Sequence, residues 1–207
     1  MLKYILIGLS YALAAGLQPG PLQAFFLAKV SQQGWKRTLP AAFAPLVSDG
    51  PIALVAILLV GVLPEAFWPA LQFGGGLLLV IFAWKSFQSW RRAPGVNQKD
   101  AGAAPGTVFQ AALVNLLNPN PYLGWSLVMG PAVLTAWSEG PHFAFILLLV
   151  FYLTMISTSL LIIYLMGQAV LLGPDAGRTM NLISALLFAG FGLYFLYQAT
   201  NKLTVLL

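Results

Sequence analysis

The sequence contains no cysteine and a single histidine, His142. Without thiols there is no disulfide framework, no thiolate metal site, no thiol redox relay and no cysteine nucleophile. One histidine leaves no paired-histidine ligation of metal or haem within the chain. Charge is scarce too. Asp, Glu, Lys and Arg together make up 7% of the 207 residues, against about 25% in soluble domains. So few charged groups cannot cover a soluble globule of this length, which argues against a cytoplasmic enzyme, a secreted domain or a disordered chain.

Apolar residues fill the gap. They account for 59% of the sequence, and the mean hydropathy is +0.85. The composition is that of a polytopic helical membrane protein. A membrane-spanning helix takes about 20 residues, so at most about six or seven crossings fit. Six apolar stretches are long enough: 4–27, 39–63, 67–90, 107–134, 142–165 and 180–199. None shows the period-two alternation of a transmembrane barrel strand. The fold class expected is an all-α integral membrane protein.

Charge sits between the stretches. Lys29, Lys36 and Arg37 fall between the first two, Arg91, Arg92, Lys99 and Asp100 between the third and fourth, and Asp175 and Arg178 between the last two. The alternate loops hold only Glu65 and Glu139. Net charge is +5, but no helix carries a basic face, so nucleic acid is not an expected partner. The positive-inside rule puts the basic loops in the cytoplasm and both termini outside, with Lys3 and Lys202 as minor dissent. Residues 93–106, rich in Ala, Gly and Pro, read as a cytoplasmic linker, with a regulatory loop as the alternative. Lys3, an apolar run and Ala12-Leu13-Ala14 have the layout of a cleavable leader. The apolar stretch continues into Phe25-Phe26-Leu27, however, so the first stretch is read as a span.

Two spans carry the same interruption. Gln18-Pro19-Gly20-Pro21 lies in the first and Asn118-Pro119-Asn120-Pro121 in the fourth. One proline inside a helix removes a hydrogen bond and costs about 3 kcal/mol or more. Two, spaced i and i+2, should unwind the helix and restart it, since proline is comfortable in a first turn. Three spans per half make the second half run in the opposite sense. The expected plan is two inverted three-helix repeats, 1–92 and 107–207, joined by 93–106. Broken helices in matching positions of inverted halves point to a transport site, and their N-termini suit an anionic group. Simple packing kinks are the plainer alternative.

Asp49 is the one acidic residue inside a span, between Pro45 and Pro51. A charge at mid-helix costs about 2.5–3.5 kcal/mol even on the lenient insertion scale and marks ion or substrate paths. A carboxyl group there can carry a proton or hold a cationic group. It can also serve as a structural hydrogen-bond partner. Asn115 lies one turn before Asn118 and can share its face. The candidate solute-binding set is Gln18, Pro19, Gly20, Pro21, Asn115, Asn118, Pro119, Asn120, Pro121 and Tyr122, with Asp49 for ion coupling. Thr154, Ser157, Thr158 and Ser159 read as close-packing residues, as does Gly74-Gly75-Gly76. Trp68, Trp84, Trp90, Trp125 and Trp137 read mainly as interface anchors, as do Tyr194 and Tyr197. His142, beside Pro141, reads as solvated.

On these motifs the whole chain resembles the lysine-exporter and homoserine-exporter (LysE/RhtB) family of bacterial inner-membrane exporters. Pro19-Gly20-Pro21 is similar to the family's N-terminal signature. Gly34 and Asp49 fall where the family has a loop glycine and a Gly-Asp pair, and Asn118-Pro119 where it has Asn-Pro-Lys. Ser48 stands in place of that pair's glycine, and Asn120 in place of the lysine, which removes a cation that could face a carboxylate. The resemblance implies a secondary exporter of amino acids or related small polar metabolites at the inner membrane. It implies no enzyme and no cofactor, and no nucleotide-binding Gly-x-x-x-x-Gly-Lys run is present. The partners expected are a small polar solute, the bilayer and a coupling ion, the proton first, with a homodimer left open. The alternatives are a non-transporting membrane scaffold, a membrane enzyme or redox carrier, and an exporter of a non-amino-acid solute or ion.

Overall fold

The structure is a computed structural model and describes residues 1–59, 67–91, 106–171 and 173–206. Its regular elements are all helical. Helix α1 spans Leu2–Leu17 and α2 Pro21–Gln33. The short α3, Trp35–Thr38, runs through a 3-10 turn, Leu39–Phe43, into α4, Ala44–Leu59. Helix α5 is Phe67–Arg91. Then come α6, Thr107–Leu116, and α7, Pro119–Gly124, with a π turn at Trp125–Met129 leading into α8, Gly130–Glu139. The long α9, Pro141–Val170, and α10, Pro174–Leu206, complete the chain.

Four stretches are long and apolar enough to cross a membrane: Trp35–Ala56, Trp68–Arg91, Pro141–Val170 and Asp175–Asn201. The α1–α2 pair, bent by 59° at its break, makes a fifth. Six had been expected. The difference falls on 107–134, which is cut at Leu117-Asn118 and offers only the ten-residue apolar α6 before the cut. Two expected loops also prove helical. Lys29 belongs to α2, and Lys36 and Arg37 to α3, with Gly34 alone between the helices. Gly34 has φ of 83°, a left-handed conformation that glycine adopts without a Cβ clash, so one residue turns the chain. Asp175 and Arg178 lie within α10, where Asp175 sits favourably in the first turn against the helix dipole. Residues 60–66, with Glu65, and 92–105, with Arg92, Lys99, Asp100 and nearly all of the expected linker, lie outside the described residues.

Long helices pair closely where glycine allows it. Helix α1 lies along α9, and α5 along α10. A Cβ on Gly8 would stand 2.9 Å from the Leu147 carbonyl oxygen, and one on Gly76 would stand 3.0 Å from that of Gly192. At the end where α1 begins, Lys3 Nζ donates to Glu139 Oε1 at 2.8 Å, so the start of α1 and the end of α8 meet. Large apolar side chains such as Leu6, Leu149, Leu153, Leu186 and Leu193 are exposed, as suits a surface facing lipid. Trp84 and Trp137 are exposed as well, whereas Trp68 packs edge-on against Tyr122 at 6.2 Å.

A close approach also joins α5 to the second break. Pro121 has no N–H for the Leu117 carbonyl, four residues earlier, and that carbonyl lies against Gly75. A Cβ on Gly75 would overlap it, whereas one on Gly74 would meet its nearest neighbour at 3.9 Å. Gly75→Ala should therefore destabilise the protein by about 1–3 kcal/mol through overpacking. Gly74→Ala should be neutral or stabilise by up to about 1 kcal/mol through helix propensity. Unfolding of the purified variants in detergent compares the two, and equal effects would contradict the contact.

Candidate functional site

Each proline pair deprives two carbonyls of their helical donors, and hydrocarbon offers no replacement. At the first break Pro19 and Pro21 have no N–H to give Ala15 and Leu17. Gly20 is extended, with φ −168° and ψ −174°, so its own N–H does not reach back to Gly16. The Gly16 carbonyl is taken instead by Gln23, whose Nε2 donates to it at 2.8 Å from the new helix. At the second break Pro119 and Pro121 act in the same way. There the Leu116 carbonyl accepts from the Tyr122 hydroxyl at 2.9 Å. In both breaks the carbonyl two residues before the amide side chain is satisfied by a side chain from just beyond the prolines.

The restarted helices differ at their N-termini. An α-helix leaves its first N–H groups without in-helix partners. In α2, Leu22 and Gln23 carry such N–H groups after the donorless Pro21. In α7 neither Pro119 nor Pro121 has an N–H, and that of Asn120 is capped by Asn118 Oδ1 at 3.1 Å. The sequence led us to expect donors at both breaks. Proline chemistry and the Asn118 cap leave them only at the first, so the second presents side-chain amides.

Asp49 stands beside the second break. It is 3% exposed, and its neighbour Ser48 is fully buried. Asn115 Nδ2 donates to Asp49 Oδ1 at 3.1 Å and to Ser48 Oγ at 2.8 Å. Both protons of one amide are thereby used to tie α6 to α4. Ser48 passes its own proton to the Ala44 carbonyl at 3.1 Å. The Trp125 side chain also hydrogen-bonds the carboxylate. A buried carboxylate is tolerable only with such partners. Trp125 itself begins the π turn that precedes Pro131. Pro131 cannot bond back to Leu127, and the wider turn absorbs that missing bond.

These parts surround one cavity of about 90 Å³. Gln18, Pro19 and Gly20 line it from the first break, Asn115, Asn118, Asn120 and Pro121 from the second, and Asp49 from α4. Three members of the sequence-derived set do not line it. Pro21 and Pro119 are buried behind the break as first-turn residues, and Tyr122 spends its hydroxyl on Leu116. Conversely, the cavity includes Tyr11, Gln23, Trp125, Phe151, Met155 and Ser159. Trp125 had been read among the interface anchors, yet it is 6% exposed. Helical spacing carries the signal that finds it: Tyr11 lies seven residues before Gln18, and Trp125 seven after Asn118. Phe151, Met155 and Ser159, four apart, share one face of α9. A Cβ on Gly20 would meet nothing closer than 3.7 Å, so this glycine keeps space open in the cavity. Among the described residues no three His, Asp or Glu side chains converge as metal ligands.

The family model for LysE type translocators matches residues 13–199. The chain belongs to this family of membrane translocators. Comparison with curated proteins gives no match, and comparison with solved structures gives none.

The native absence of cysteine permits single cysteines to be introduced cleanly. Cysteines at Gln18, Gly20, Asn118 and Asn120 should react with small water-soluble thiol reagents, because a wet cavity supports the thiolate. Ala24→Cys, at a fully buried position four residues after Gly20, should stay unreactive. Reaction at the first break but not at the second would contradict a shared aqueous cavity.

Proposed function

We propose that this LysE type translocator is a secondary exporter of amino acids or related small polar metabolites, driven by an ion gradient across the bacterial inner membrane. The observation that carries the reading is convergence. Two proline-broken segments, 100 residues apart in sequence, and the sole acid of α4 border one cavity. In this reading 107–139 forms a sixth, broken crossing. Residues 1–92 and 107–207 are then the two inverted halves, and 93–106 joins them in the cytoplasm. The like treatment of the Gly16 and Leu116 carbonyls supports that pairing.

The mechanism follows from having one carboxylate. Asp49 holds either a proton or the ammonium of a solute, since both positive charges would compete for the same oxygens. Exchange of one for the other on opposite sides of the membrane couples outward solute movement to inward proton movement. Gln18, Asn118 and Asn120 supply amides for the polar remainder of the solute. Rocking of the halves about the cavity alternates access, and the breaks let each crossing bend there.

Asp49→Asn keeps the acceptor that Asn115 uses and removes the exchangeable charge. The variant should insert and fold. Loss of a hydrogen bond to a charged group, about 1.5–3 kcal/mol, should weaken solute handling about 10- to 100-fold. Export driven by a pH gradient in reconstituted vesicles should fall accordingly. A wild-type rate with unchanged pH dependence would overturn the coupling role of Asp49.

A further inference from the structure

Among the described residues, one carboxylate and no lysine, arginine or histidine line the cavity. Three aromatic rings, those of Tyr11, Trp125 and Phe151, also line it. Tyr11 and Phe151 stack at 6.0 Å, and Trp125 meets Phe151 edge-on at 6.1 Å. Aromatic faces attract cations, more strongly when the cation has shed its water. The α2 N-terminus opposes this charge with about half an elementary charge at most, and the α7 N-terminus has its donors removed or capped. Room is limited as well. An apolar cavity of about 150 Å³ takes benzene. One of about 90 Å³ therefore takes roughly four heavy atoms by the same measure.

We infer that the cavity selects small monoammonium solutes without a carboxylate over zwitterionic amino acids. The inference rests on the export reading and narrows its substrate class. A monoammonium solute neutralises Asp49, lays its carbons against Phe151 and Trp125, and turns a hydroxyl or amide toward Asn118 and Asn120. A zwitterion brings a second carboxylate into the same small space as Asp49, where no side-chain cation among the described residues answers it. That like-charge contact disfavours the zwitterion.

Four probes of nearly equal size separate the charge types: ethanolammonium, glycine, glycolate and acetamide. Calorimetric titration of the purified full-length protein at pH 7 should give ethanolammonium a dissociation constant at least about tenfold below that of glycine, with glycolate and acetamide weaker still. Asp49→Asn should erase the preference. Should that variant fail to fold, Phe151→Leu must weaken ethanolammonium binding through loss of the ring. Glycine, glycolate or acetamide binding as tightly as ethanolammonium overturns the inference. So does the absence of binding by all four, a preference that survives Asp49→Asn, or unchanged affinity in Phe151→Leu. Efflux of ethanolammonium from vesicles tests the export reading by itself: an amine that binds with the expected preference but is not moved counts against export, while the charge selectivity stands.

Discussion

Hydrocarbon cannot hydrogen-bond, so every backbone N–H and C=O that crosses it must find a partner within the protein. This chain breaks that requirement twice, at Pro19 and Pro21 and at Pro119 and Pro121, and much of the local architecture answers the breaks. Gln23 and Tyr122 reach back to the released carbonyls. Asn118 caps the second restart. Gly75 lets the α5 backbone approach the Leu117 carbonyl, the one the Pro121 ring leaves without a donor. Each device uses a group that would be wasted in an ordinary packed helix. Together they hold irregular backbone beside the cavity.

The same logic governs the buried acid. Asp49 is tolerated because Asn115 divides its two amide protons between the carboxylate and Ser48. That amide joins α4 to α6 just ahead of the second break, so the charge and the break are coupled by direct bonds. A change of charge on Asp49 alters the acceptor for one of those protons. In the proposed mechanism this is how occupancy of the carboxylate is communicated to the broken crossing.

Much of this was legible in the sequence because it rests on chemistry that single residues impose. Proline has no N–H in any context, so the two interruptions could be placed before any coordinates. The scarcity of charge and the long apolar runs gave the helical membrane class, which the family match and the helical elements support. Boundaries were less legible. Lys36, Arg37 and Arg178 signal a polar face or a loop equally well, and here they lie in the first turns of helical stretches apolar enough to cross a membrane. The fate of particular donors was hidden as well. Tyr122 has the same hydroxyl whether it faces a solute or Leu116, and only the backbone geometry decides. Trp125 misled for a different reason: tryptophan is common at membrane interfaces, whereas the π turn before Pro131 holds this one inside. The seven-residue spacing from Asn118 was the available clue.

The central claim is that both broken segments and Asp49 bind one solute at one place. An experimental structure of the full-length protein with its exported solute bound tests this most directly. The account predicts solute density between 18–20 and 118–120, with a positively charged group within hydrogen-bond distance of an Asp49 oxygen. Solute bound elsewhere, with that cavity empty, would contradict it.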